Sequence, residues 1–228
     1  MGTATLILGE SGTGKSTSLR NITPESTLLI QTIRKPLPFR STGWKKWNKS
    51  EPTTSVFTTD NWQSIIAAIK AASGYGKSIV IIDDFQYLMA NEFMRRSDEK
   101  SFDKFTEIGS HAWNIIDKAI NETPDDLRVY FLSHTEETQM GRVKMKTIGK
   151  MLDEKITVEG MFTIVLKTSV KDGQYLFTTQ NSGSDPVKSP MGMFDSPEIE
   201  NDLQAVDAAI CEYYGITNNV HSIKGNAA

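Results

Sequence analysis

Gly9-Glu10-Ser11-Gly12-Thr13-Gly14-Lys15-Ser16 matches the pattern G-x-x-x-x-G-K-[ST] in full. Glycines at 9, 12 and 14 let the backbone curl with its N–H groups turned inward, which makes a concave anion site that a following helix reinforces. Lys15 then points at the β- and γ-phosphates of a nucleotide, and Ser16 at the Mg²⁺ they carry. Glu10, Ser11, Thr13 and Thr17 complete the binding stretch. The flanks agree: Thr3-Ala4-Thr5-Leu6-Ile7-Leu8 is a short apolar, β-prone run, and Ser16 to Ile22 can continue as a helix until Pro24. Strand, loop and helix in that order place the chain among α/β folds built on a phosphate-binding loop.

Composition sets the outer bounds. The chain has 228 residues, enough for one α/β domain with its own core, and a single cysteine, so no internal disulfide forms. Cys211 lies in a helix-like stretch and reads as a buried apolar residue. No basic-then-apolar leader precedes the first strand and no apolar run reaches the ~20 residues of a membrane span, so a soluble, intracellular (cytoplasmic) protein is expected. A net charge of -3 excludes a globally basic nucleic-acid binder and leaves only local patches.

Downstream, Thr27 to Ile33 reads as a second strand. From Arg34 to Lys49 the chain carries Arg34, Lys35, Arg40, Lys45, Lys46 and Lys49 with no acid, and Trp44 and Trp47 among them. Two readings stay open here. Arg40, Trp44, Lys45, Lys46 and Trp47 suit contact with the backbone and bases of single-stranded DNA, or the segment is a solvated loop whose tryptophans pack back on the domain. Thr54 to Thr58 is the third strand, and Asp60 is placed to cap a helix whose apolar face is Trp62, Ile65, Ile66 and Ile69.

Ser78-Ile79-Val80-Ile81-Ile82-Asp83-Asp84 runs from apolar residues into two carboxylates, the signature of a central parallel strand. At its carboxyl end Asp83 is expected to hold Mg²⁺ with Ser16. Asp84 either orients the attacking water or caps the next helix. Residues 91–104 mix charges densely and read as an exposed, mobile connection, or as a face toward a polymer or neighbouring subunit. A long helix from Phe105 to Asn121 has Ile108, Ala112, Ile115, Ile116 and Ala119 inside. The strand Leu127 to Ser133 ends at His134, beside the Asp83 strand, where a polar group senses a γ-phosphate or is simply structural. His111 and His221 lack metal-ligand spacing, and no metal beyond Mg²⁺ is indicated.

Residues 135–137 read as a polar loop, and Gly141 to Lys150, with Arg142, Lys144, Lys146 and Lys150, as a phosphate-contacting or solvated one. Phe162–Thr168 and Gln174–Thr179 flank Lys171-Asp172-Gly173, a hairpin with a strong turn signal. A helix from Glu198 to Tyr214 closes a domain spanning residues 1–214, and a polar tail, flexible or loosely docked, occupies 215–228. The whole is an α/β chain with a RecA-like P-loop NTPase core: a mostly parallel sheet flanked by helices, extended by a C-terminal antiparallel β-hairpin.

The P-loop near the N-terminus, Ile79-Val80-Ile81-Ile82-Asp83-Asp84, Phe131-Leu132-Ser133-His134, the 150–160 region and Lys188-Ser189-Pro190-Met191-Gly192 together resemble the Sak group of phage-encoded, RecA-like single-strand annealing proteins. The resemblance covers residues 1–214. It implies an ATPase with ATP and Mg²⁺ as cofactors, acting on single-stranded DNA in phage recombination in the host cytoplasm. A homo-oligomer with nucleotide at its subunit interfaces and a single-strand-binding protein as partner are also implied. In such ATPases a Lys or Arg of one subunit meets the γ-phosphate of the next; Lys188 is the first candidate and Lys150 the second. The usual water-activating Glu is missing after the third strand, where Thr58-Thr59-Asp60 stands. Asp60 or Asp84 is left for that task. The alternative function is a nucleotide-dependent switch or assembly ATPase with protein partners and no nucleic acid.

Overall fold

A computed structural model describes residues 2–217; His221 and the tail from 218 lie outside the described residues. Strand β1 (Thr3–Gly9) lies at the centre of a nine-stranded sheet with β2 (Thr27–Gln31), β3 (Val56–Thr58), β4 (Ile79–Asp83), β5 (Arg128–Glu137), β6 (Val143–Met145), β7 (Ile164–Lys171), β8 (Gln174–Thr178) and β9 (Glu198–Glu200). The order is β3-β2-β4-β5-β1-β7-β8-β9, with β6 paired to the far end of β5. From β3 to β7 all neighbours are parallel, while β8 and β9 add antiparallel strands at one edge. One strand, β5, therefore separates the P-loop strand from the Asp83 strand. This is a mixed α/β fold with a mostly parallel sheet flanked by helices, as the sequence leads one to expect.

Strand residues alternate between two buried faces, which requires cover on both sides. Leu6 and Leu8, Val80 and Ile82, Val129 and Phe131 face one core, packed by α1 (Trp62–Ala71), α2 (Gln86–Arg95) and α3 (Asp103–Asn121). Ile7, Ile79, Ile81, Tyr130 and Leu132 face the other, under α4 (Leu203–Tyr214). The five residues expected on the inner face of α3 are all buried. The hairpin turn closes at Asp172 (φ 50°) and Gly173 (φ 77°), both left-handed as a primed two-residue turn requires.

Several expectations need correction. The P-loop runs into a single stretch of 3₁₀ helix, Ser16–Asn21, because Ser-Thr-Ser and Asn21 favour local turns over helix and Pro24 bars extension. Asn61, not Asp60, caps α1: its side chain accepts from the Ser64 N–H at 2.8 Å. The loop expected after His134 is strand, since Thr135–Glu137 pair with Met145–Val143. Glu198–Glu200 pair with β8 instead of opening the last helix, which starts at Leu203 with Asp202 as its cap. Residues 91–104 are pinned rather than loose. Arg96 bridges Glu92, Glu99 and Glu107, and Lys104 donates to the carbonyls of Arg96, Ser97 and Glu99.

At the amino-terminal end of β5, Arg128 donates from Nε and Nη2 to Asp207 of α4, at 3.0 and 2.9 Å. Tyr130 donates to the same carboxylate at 2.6 Å, and all three residues are buried. Cys211 lies next to Asp207 and is buried, as expected.

Candidate functional site

The site forms at the carboxyl ends of β1, β4 and β5, where the P-loop leaves the sheet. Gly9 has no room for a side chain: a Cβ there would stand 1.8 Å from Thr168 Oγ1 of β7. Thr168 in turn meets Thr13 Oγ1 at 2.6 Å, so β7 braces the loop from the side. Gly12 (φ 80°) and Gly14 (φ 100°) supply the left-handed turns that point the backbone inward. The short 3₁₀ helix adds less dipole than the expected α-helix, which leaves the loop amides and Lys15 as the main source of positive field.

Lys15 is 5% exposed and folds back on its own loop, donating to Gly9 O at 2.8 Å and Glu10 O at 2.7 Å. Burial lowers its pKa to about 8 despite the nearby charges of Asp84 and Asp83. Ser16 Oγ lies 3.0 Å from both carboxylate oxygens of Asp83. Burial, with Asp84 adjacent, raises the Asp83 pKa to about 6. A hydroxyl and a buried carboxylate in contact are hard oxygen donors suited to Mg²⁺, which binds through few protein ligands together with water and phosphate oxygens. The donor set fits that ion. Among the described residues no cluster of three or more His, Cys, Asp or Glu could hold a metal by itself.

Asp84 does not cap α2. Its backbone is left-handed (φ 57°), a conformation uncommon for a residue with a side chain, and Thr32 Oγ1 holds its carbonyl at 2.8 Å. The carboxylate faces Lys35 Nζ on one side and His134 Nε2 at 3.5 Å on the other. Burial works against its charge, but the bonds to His134 and Lys35 prevail and its pKa falls below the usual range. His134 is oriented through its backbone, whose N–H donates to Gln86 Oε1 at 3.0 Å, and its ring meets Tyr87 edge-on. Lys15, Ser16, Asp84 and His134 thus converge with Lys35 on one cavity of about 220 Å³, lined also by Ser11, Gly12 and Thr17. Larger cavities of about 520 and 620 Å³ lie elsewhere, at the start of β1 and beside Phe102 and Phe105, and neither borders the P-loop.

Other expected residues lie apart. Asp60 pairs with Arg95 (2.5 Å) and Asn91 (2.9 Å) of α2 and does not line this cavity. Lys188 is bonded through its backbone to Val165, level with Leu6 of β1 and therefore well short of the P-loop. Lys150 lines the apolar cavity beside Phe102. In the basic segment Lys45 and Lys46 run alongside Val56 and extend the sheet edge. Trp44 meets Phe39 edge-on and packs on the α4-side core, while Trp47 meets Tyr75 and carries Lys77 Nζ over its ring at 5.6 Å. Both tryptophans are thus used by the fold, whereas Arg40, Lys45 and Lys46 are exposed. Residues not singled out from sequence are Lys35, Gln31, Thr32 and Thr168. Position at or just beyond the end of β2, next to the Asp83 strand, is the signal that would have marked the first three.

No family model and no curated protein matches the sequence. Among solved structures, the chain is similar to a KaiC-like protein from the hyperthermophilic archaeon Pyrococcus horikoshii OT3, at 12% identity and a TM-score of 0.40, covering 77% of this chain and 76% of that one. It is also similar to the genome packaging NTPase of Sulfolobus turreted icosahedral virus 2, solved in complex with ATP-gammaS, at 11% identity and a TM-score of 0.41, covering 78% and 91%. At these values the likeness carries no functional argument.

Proposed function

We propose that the chain is a Mg²⁺-dependent P-loop ATPase. The observation that carries this reading is the contact of Ser16 with Asp83 beside the folded-back Lys15, in a loop that lines one small cavity. When bound, Mg²⁺ would be held by Ser16 and Asp83 and would offset charge on the phosphate oxygens. Lys15 leaves its carbonyl partners for the phosphates. Asp84, fixed at the cavity and oriented by His134, takes the place of the absent Glu in aligning the attacking water. The finer reading is that the protein acts on single-stranded DNA as an oligomer, in the manner of the Sak-like proteins its motifs resemble. Its support is the exposed row Arg40, Lys45 and Lys46. With both tryptophans packed inward, DNA contact would be through phosphates and hence steeply salt-dependent, with little sequence preference. Lys188 remains the proposed trans cation; its backbone is held beside Val165, level with Leu6 rather than with the P-loop.

The inward tryptophans favour the second reading, a nucleotide switch or assembly ATPase with protein partners. ATP turnover measured with and without single-stranded DNA, together with the oligomeric state, separates the two. DNA-stimulated turnover in an oligomer supports the first, and indifference to DNA the second. No turnover under any condition contradicts the ATPase assignment.

A further inference from the structure

Lys35 stands in the phosphate cavity although it belongs to the basic segment after β2. Two contacts put it there. Gln31, the last residue of β2 and level with Asp83, donates its side-chain amide to the Lys35 carbonyl at 3.0 Å, which turns the chain back toward the site. The ammonium then pairs with Asp84 Oδ2, while 40% of the side chain stays open to solvent. Its backbone is thus anchored, while its head is partly solvated and bound through the one carboxylate. Asp84 has the opposite character: its side chain is 4% exposed and its backbone is pinned by Thr32 and by the Phe85 N–H bond to Leu132 O at 2.9 Å. Of this pair, the lysine is the member that can change partner.

The cavity is lined by two cations, Lys15 and Lys35, and by Asp84, with Asp83 beside it in contact with Ser16. Lys15 is held by carbonyls of the P-loop itself. Lys35 lines the same cavity from the Asp84 side, where the carboxylate assigned to the attacking water stands. Resting on the nucleotide reading above, we propose that Lys35 is the chain's own contact for the terminal phosphate of a nucleoside triphosphate. Its ammonium covers Asp84. A triphosphate draws it away and uncovers the carboxylate that aligns water, whereas a diphosphate is too short to do so. Lys35 therefore distinguishes triphosphate from diphosphate in cis and makes Asp84 available only when the triphosphate is bound.

The test is calorimetric titration of the full chain, in Mg²⁺, with a non-hydrolysable ATP analogue and with ADP. Lys35→Met is expected to weaken the triphosphate analogue about tenfold, the loss of one charge-assisted contact, and to change ADP affinity less than about twofold. Lys35→Arg should keep most of the preference. Asp84→Asn frees the ammonium, so triphosphate affinity should rise, and rise several-fold less when Lys35→Met is also present. A structural role for Lys35 gives no such opposite-signed, coupled pair of effects. Equal losses for both nucleotides in Lys35→Met, no loss for either, or the same Asp84→Asn gain in both backgrounds overturns the inference. These failures differ from failure of the nucleotide site itself, in which Lys15→Ala would bind both nucleotides as the wild type does.

Discussion

Strand β5 carries a charged cluster at each end, and the two are built on opposite principles. At Arg128 the guanidinium, the Asp207 carboxylate and the Tyr130 hydroxyl are buried and satisfy one another, with Arg128 Nη1 also donating to Asp126 O at 2.7 Å. At His134 the charges are provisional: Lys15 donates to carbonyls of its own loop, Ser16 rests on Asp83, and Lys35 covers Asp84. Desolvation pushes Lys15 down and Asp83 up, so both are held in a state that a polyphosphate and a divalent cation would relieve. A closed ion pair ties α4 to the sheet; the other cluster is the site proposed for a nucleotide. The difference lies in saturation and in solvent access: Arg128, Tyr130 and Asp207 are all buried, whereas Lys35 is partly open to solvent.

Breaking the closed end has the larger effect on stability. Asp207→Ala leaves Arg128 charged and buried and should cost about 3–5 kcal/mol in denaturant unfolding, while the nucleotide affinity of the folded fraction stays as in the wild type. Equal loss of stability and of affinity would show that the two ends are coupled.

Relieving the open end should do the reverse. Asp83 has its pKa raised from 3.8 to about 6, so below 3.8 it costs nothing. As pH rises to 6 the unfolded chain gains a charge the folded one resists, and stability falls. Asp83→Asn is expected to remove that fall and to be about 2–3 kcal/mol more stable than the wild type above pH 6, without ligand. The gain should vanish below pH 4, and the variant should lose Mg²⁺ dependence of nucleotide binding. A difference independent of pH would contradict the strain assigned to Asp83.

His134→Ala sharpens the contrast most finely. It should change stability by less than about 1 kcal/mol and lower turnover about tenfold or more. A stability loss as large as that of Asp207→Ala would make His134 structural.

Much of this was legible in the sequence where one residue type has one physical use. The P-loop, the apolar run into Asp83 and the Asp-Gly turn are of this kind, because amide curvature, double-sided burial and left-handed backbone each admit few residues. The rest depended on pairing at a distance. Val143-Lys144-Met145 becomes strand only because β5 continues past His134, and Glu198-Ile199-Glu200 only because β8 offers an edge. Lys35 was indistinguishable from the other basic residues of 34–49 until Gln31 turned it inward. Asp60, equally plausible as a carboxylate near the site, was drawn off by Arg95.

The most direct measurement is nucleotide binding by Lys15→Ala, with the unfolding midpoint measured alongside. The loop and Lys15 as the chief cationic contact predict an ATP affinity lowered about a hundredfold or more in a protein as stable as the wild type. ATP bound by Lys15→Ala with wild-type affinity would contradict a phosphate site at Gly9–Ser16.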